Sequence, residues 1–446
     1  MPHSATDTDI NVPVTSFDEA ALAALPPTSP FVEQLRKDAF AEFNALPIPS
    51  QETEEWRYTD LSALELSFAP FTRGGTAASL DEVPEEIVAG AAIVGDRSGL
   101  QIQRNSEVLL TNLDAKLAEQ GVVFGDLATA ILERPDLVEP YLHAIVPTGR
   151  SKFTALHAAF RTGGTFLYVP EGVTIEVPLQ SLTWVDVDGA AVFPHTLIVA
   201  GPDAEVTFID RYASPDLEGA LSDAVTEIHA DASARVRYVS IQDWGAGMTH
   251  LAVQRAHLSR DADLRTTSVG FGADLARVEA ESVMAGIGAS SEALGLFFAD
   301  GDQHFDHRTE QDHVAAKCTS DLLYKGALRD TSRGVYSGWV HVRPGAQGTN
   351  AMQTSRNIML SEGAFARAIP NLEIEANDVR CGHAASAGPV DDDQLFYLGT
   401  RGIARAEAEK LIVKGFFQEV IDRITIEEVR ESVAAEIEDE LQREDV

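Results

Sequence analysis

Short β-rich runs, each broken by a small turn with an alanine at its centre, recur between residues 163 and 388. They include TLIVAGPDAEVTFID, EIHADASARVRYVSI, AHLSRDADLRTTSV, GWVHVRPGAQGTNAM and NIMLSEGAFARAIPNLEI. The turn alanines are Ala204, Ala234, Ala262, Ala346 and Ala364, at gaps of 30, 28, 84 and 18 residues. The gap of 84 is three intervals of 28, and GIGASSEA places a weaker copy at Ala289 inside it. One such unit buries little apolar surface alone, so its recurrence predicts coils stacked on one another, a β-solenoid. A β-sandwich of regular hairpins would give a similar rhythm. It would also favour Asn-Gly and Asp-Gly turns, which are scarce here.

The pattern changes on either side. Residues 1–28, rich in Pro, Thr, Ser and Asp, read as a disordered or loosely attached tail. Ser29-Pro30 predicts a helix start, with serine as cap and proline in the first turn, followed by Phe31, Leu35 and Phe43 near helical spacing. EEWRYTDLSAL (54–64) and NLDAKLAEQGVVFGDLATAILE (112–133) add mixed helical material. Residues 29–155 therefore read as a helical region with limited sheet, and 156–388 as the solenoid core. In the C-terminal helical part, 389–446, AEAEKLIVKGFFQEVIDRI puts Ala408, Leu411, Ile412, Gly415 and Phe416 on one helical face. Thr425 and Glu428 can cap a last helix striped by Val429, Val433 and Ile437. Such a tail either caps the solenoid or docks a partner protein.

Charge narrows the partners. With 34 basic and 70 acidic residues the chain carries a net −36, which repels nucleic-acid backbone and anionic lipid. No apolar run reaches membrane-spanning length, and the polar N-terminus has no signal-peptide pattern. The two cysteines, Cys318 and Cys381, lie 63 residues apart and form no disulfide framework. Free thiols suit a reducing compartment, so a soluble cytoplasmic protein is expected.

Two clusters could carry chemistry. In RCGHAASAG (380–388) Cys381 and His383 stand at strand spacing, on one face if the segment is extended. Thiolate and imidazole suit iron–sulfur or zinc chemistry, but two ligands hold no metal alone. The plainer reading is a buried thiol beside a satisfied histidine. In DQHFDHRTEQDH (302–313), His304, His307 and His313 stand among Asp302, Asp306, Glu310 and Asp312. Metal binding competes there with polar side chains alternating on a solenoid face and pairing with arginines such as Arg308. No phosphate-binding loop, nucleophile elbow or distinct carboxylate pair is present, so no independent enzyme is expected.

The block 320–403, opening SDLLYKGALRDTSRG and closing DDDQLFYLGTRGI, resembles the SufB/SufD family of iron–sulfur cluster assembly proteins, and within it the SufD branch. GTFLYVPEGVTIEVPLQS (164–181) resembles the start of the family's β-helix, and EEWRYTDL (54–61) its N-terminal signature. The resemblance implies a mainly β fold, with a right-handed parallel β-helix between an α-rich N-terminal region and a C-terminal helical domain. It further implies a non-catalytic scaffold that pairs with a SufB-type partner through the β-helix and docks a SufC-type ATPase through its C-terminal domain. A homodimer is possible when the chain is expressed alone.

The family motif Cys-Ser-His-Gly-Ala-Thr reads here as Cys381-Gly382-His383-Ala384-Ala385-Ser386. Cys381 and His383 are thus implied at the SufB–SufD interface, where a transient iron–sulfur cluster forms; the isolated chain is expected to hold none. Tyr397, Arg401, Leu411, Ile412 and Phe416 are expected to face the ATPase. Ala384 and Thr400 replace the usual glycine and serine. SRNIMLSEG lacks the cysteine that SufB carries there, which favours SufD over a SufB-like scaffold. Cys318 reads as a buried structural thiol. From another class, the rival is a β-helix metalloenzyme using His304, His307 and His313.

Overall fold

The structure, a computed structural model, describes residues 17–92 and 95–442. The chain winds back and forth between two facing ten-stranded sheets, making a β-solenoid of about eight turns. From Glu205–Ala213 onward the first sheet steps through Arg235–Trp244, Asp263–Gly272, Ser290–Ala299, Thr319–Leu328 and Thr349–Met359 to Val379–Pro389. The second sheet takes the strands between them and ends at Phe365–Ile374. Neighbouring strands are parallel and one coil apart: Arg235 pairs with Asp263, and Asp263 with Ser290.

The turn alanines follow from this stacking. The N–H groups of Ala204, Ala234, Ala262 and Ala289 donate to the carbonyls of Gly201, Asp231, Ser259 and Gly286, closing one tight turn per coil. The residue before each is left-handed: Asp203, Ser233, Asp261 and Gly288 have φ of 57°, 60°, 56° and 78°. Asp and Ser tolerate that conformation better than bulkier residues do. All four alanines are fully buried one above another, where a methyl fits and a longer side chain would collide with the next coil. Cys318 takes the next place in the row, behind the left-handed Lys317, and by register Thr349, behind Gly348, takes the one after. Ala364 belongs to the opposite corner, heading a strand of the second sheet. The 18-residue gap is therefore part of a coil and not a short repeat.

Strand alternation sorts the core. Val206, Phe208, Val236, Tyr238 and Leu264 of the first sheet meet Ile228, Ala256, Leu258 and Met284 of the second between the sheets. The outer face of the first sheet, including Ile209, Val239, Val269, Leu296 and Phe298, is covered by helices Arg405–Ile421 and Glu427–Gln442. Val413, Phe417, Val420, Val429, Val433 and Ile437 supply the helical side of that seam. Each such side chain contributes roughly 1.5–3 kcal/mol through burial. The predicted stripe of the last helix is found. That of the preceding helix is shifted: Ala408 is buried and Phe416 packs partly buried at the seam, but Val413 and Phe417 replace Leu411 and Ile412 as core-facing residues, because the helix lies on its own sheet.

The N-terminal region covers the outer face of the second sheet. Ser29 caps the helix Pro30–Ala45 by accepting from the Val32 N–H, as predicted. The expected loose tail lies outside the described residues up to position 16. From Phe17 it is ordered instead: Asp18 caps the helix Glu19–Ala24, and Phe17 packs edge-on against Phe160 at 5.0 Å. Apolar burial there overrides the polar composition. Sheet also begins earlier than expected, since Gly99–Arg104 runs parallel to Leu179–Trp184 in the first sheet. Within 112–133, the strand Val123–Asp126 separates two short helices.

Candidate functional site

Strands Val379–Pro389 and Phe365–Ile374 end the two sheets. Each pairs on one side only, with Thr349–Met359 and Arg333–Val342. Two edges of ten and eleven residues are thus left open, and such an edge offers backbone donors and acceptors to a further strand.

Register aims the cysteine and histidine. Cys381 pairs with Ala351 and His383 with Gln353, both of which face the solenoid interior. Cys381 packs half-buried beside the Val340, Val342 and Ala351 cluster. His383, about 6.6 Å further along the same face, is exposed. Ala384, Ala385, Ser386 and Ala387 are all exposed, so the strand continues as a flat shelf of small side chains. Burial pushes the Cys381 thiol up from its ordinary pKa. A metal must therefore displace a proton to bind there. Cys318 lies fully buried in the alanine row, its sulfur 3.4 Å from the Gly286 carbonyl oxygen; burial raises its pKa too. Both thiols are free.

The histidines of 302–313 do not form one site. They lie on the strand His304–His313, where alternate side chains take opposite faces. His307 points inward and stacks on Phe297 at 4.8 Å, while His313 Nε2 lies 2.9 Å from Ser320 Oγ. His304 shares the outer face with Asp306, which accepts from Thr59 and pairs with Arg277 and Arg308. The metalloenzyme constellation is overturned by this alternation.

At the C-terminal end, Phe396 and Tyr397 of the helix Asp392–Thr400 are 74% and 57% exposed. Arg401 donates to the Tyr397 hydroxyl at 3.3 Å and lies over its ring. Tyr397, Leu398 and Ile412 line a shallow apolar groove, with Leu411 exposed nearby. Phe416 stands apart. Its carbonyl accepts from Lys325 Nζ at 2.6 Å and its ring lies 4.8 Å from the same ammonium, in the seam between helix and sheet. Phe396 was not anticipated, although four consecutive apolar residues, 395–398, cannot all be buried on one helix.

Fold and site together define a β-solenoid protein whose thiol and imidazole stand on a terminal strand, outside any enclosed pocket. The family model for the SufBD protein N-terminal region matches residues 16–181. That for the SufBD core domain of SUF-system FeS cluster assembly matches 183–416. The chain is 31% identical over 415 residues to the iron–sulfur cluster assembly protein SufD of Bacillus subtilis, covering 92% of this chain and 93% of that one. A SufBD family protein of Mycobacterium leprae is 33% identical over 416 residues, with 90% and 93% covered. One of Staphylococcus saprophyticus is 29% identical over 403, with 88% and 85% covered. This chain belongs to the SufBD family of iron–sulfur cluster assembly proteins and is SufD-like. Among the described residues no helix is long and apolar enough to cross a membrane.

Proposed function

We propose that this chain is a SufD-type, non-catalytic scaffold subunit of a cytoplasmic SUF assembly complex. The observation that supports it best is an open sheet edge carrying Cys381 and His383 on its last strand. Two ligands cannot hold a cluster. A SufB-type partner added along the edges would pair their backbone groups and bring the missing ligands over the shelf at Ala384–Ala387. The cluster is cargo, formed there and passed on. Iron and sulfide are therefore expected in the complex and not in the chain purified alone; stoichiometric amounts in the lone chain would point to a SufB-like scaffold. Purification of the complex from native cells, with partners identified by mass, tests the pairing.

With both substitutions Cys381→Ser and His383→Ala, the complex should still assemble while cluster yield on reconstitution with iron and sulfide falls several-fold. Unchanged yield would remove the site from these residues.

By the same proposal, a SufC-type ATPase docks on the face formed by Tyr397, Arg401, Leu411 and Ile412. Leu411 is 44% exposed, so Leu411→Asp should leave the circular dichroism and melting curve intact. It should weaken ATPase capture about tenfold, as expected for a charge set into an apolar contact. Phe416→Asp should instead destabilise the chain itself, given the packing of Phe416 at the Lys325 seam. Full ATPase affinity in the Leu411 variant would move the docking face elsewhere.

A further inference from the structure

Three histidines distant in sequence converge where the N-terminal region meets the second sheet. His143 lies in the turn after the helix Pro135–Val138, His157 on the helix Lys152–Phe160, and His195 opens the strand His195–Ala200. All three are buried, and one ring nitrogen of each lies within 4.8 Å of the others.

Their protons can be assigned from their neighbours. His143 Nδ1 lies 3.2 Å from the Val146 carbonyl oxygen and must donate to it, which leaves Nε2 bare; that atom has no hydrogen-bond partner. His157 Nδ1 lies 2.7 Å from the Asp223 carbonyl oxygen and must donate as well, so its bare Nε2 faces His195 Nδ1 at 3.1 Å. His195 Nε2 lies 3.2 Å from Glu227 Oε2. Glu227 is fully buried and accepts the N–H groups of His143, Ile145 and Val146 at 2.6, 2.9 and 3.0 Å. It therefore organises the turn that carries His143.

The site is one positive centre short. A neutral His195 has a single N–H for two acceptors, Glu227 and His157. A second proton would serve both. That proton would still leave His143 Nε2 without a partner, a costly state for a buried polar atom. One divalent cation bound by all three bare nitrogens resolves both deficits.

We propose that His143 Nε2, His157 Nε2 and His195 Nδ1 bind a single zinc ion that clasps the N-terminal region to the solenoid. Three neutral imidazoles suit zinc; His143 and His157 each have their other nitrogen held by a backbone carbonyl oxygen, the arrangement that orients histidine ligands, and His195 Nε2 lies beside Glu227 without a hydrogen bond to it. Zinc–nitrogen bonds of 2.0–2.1 Å in tetrahedral geometry set the nitrogens about 3.3 Å apart. The rings close on the ion by rotation and by movement of the 143–146 turn. His143 itself is left-handed, with φ of 56°, an unusual conformation for a non-glycine residue that surrounding structure must hold. The clasp joins the segments matched by the two family models, since His143 and His157 lie in one and His195 in the other. It is independent of the cargo cluster at the terminal strand.

The test uses the full chain, expressed with zinc, dialysed, and assayed by elemental mass spectrometry. About one zinc per chain is expected. The melting temperature should fall on extraction with a chelator and return when zinc alone is added. His143→Asn preserves the left-handed backbone and should reduce bound zinc at least tenfold, with melting no longer responsive to chelator or zinc. His157→Gln should do the same; should it fail to fold, His143→Asn carries the test. Wild-type protein that lacks zinc and does not respond to its addition overturns the clasp. So does either folded variant that retains full occupancy.

Discussion

Gly272→Ala is expected to destabilise this chain by more than ~3 kcal/mol and to drive most of it into the insoluble fraction. Gly272 ends the strand Asp263–Gly272, where the chain turns to the opposite sheet. Its φ is +66° and is followed by Ala273 at the same angle. A Cβ added at Gly272 would sit 1.8 Å from the carbonyl oxygen of Trp244, one coil away. That oxygen cannot retreat freely, because it accepts the Ala273 N–H at 3.1 Å and Trp244 is fully enclosed. Gly301→Ala is the control. Gly301 is also left-handed, at φ +51°, but a Cβ there meets nothing within 4 Å. It should cost only the conformational penalty of roughly 1–2 kcal/mol. Urea midpoints and soluble yields of the two variants separate collision from strain; equal losses would refute the close-approach argument.

The solenoid was legible because a coil repeats one steric demand. From Ala204 to Cys318 each first-sheet turn sets a left-handed residue before a small buried one, and the alanine row prints that demand into the sequence. Cys318, read from the sequence as a buried structural thiol, is fully buried, but its place in the alanine row shows only in the register. The N-terminal boundary was less readable. Phe17, Ala21 and Leu25 are too few to mark a helix among polar neighbours, and they become core only beside Phe40, Phe43 and Phe160. The helix Arg405–Ile421 has apolar residues on more than one side, so periodicity alone could not choose between Leu411–Phe416 and Val413–Phe417 as the buried face.

Site geometry was legible where spacing along one strand was enough. Cys381 and His383 share a face because they are two residues apart in extended chain. The same rule separates His304 from His307 and His313, so density of ligand-type residues in 302–313 misled while parity did not. His143, His157 and His195 left no comparable signal. They come from a turn, a helix and a strand, and only tertiary packing around Glu227 brings their rings together.

Between pH 7 and pH 4.5, His250→Gln should pass from less stable than the wild-type chain to more stable. His250 is buried inside the solenoid, its ring centroid 5.4 Å from Tyr212 and 5.8 Å from Trp244, with Nδ1 3.1 Å from Ser222 Oγ. Burial first, and then His307, hold its pKa down to about 3. In the unfolded chain the same imidazole takes a proton below about pH 6.5. A depressed folded pKa means that the unfolded state binds more protons. The stability contribution is therefore complete above pH 6.5 and is lost as pH falls toward the folded value. The loss is about 1.4 kcal/mol per pH unit, or roughly 3 kcal/mol by pH 4.5. Glutamine does not titrate, and at pH 7 it should cost roughly 1–2 kcal/mol through lost ring packing. Asp210 and Asp223 act in the opposite sense, since burial raises their pKa values and stabilises the folded chain as pH falls. Both remain in each protein, so they cancel in the difference. Urea midpoints of the two chains measured at pH 7 and pH 4.5 should cross, and parallel curves would mean that His250 is not held neutral.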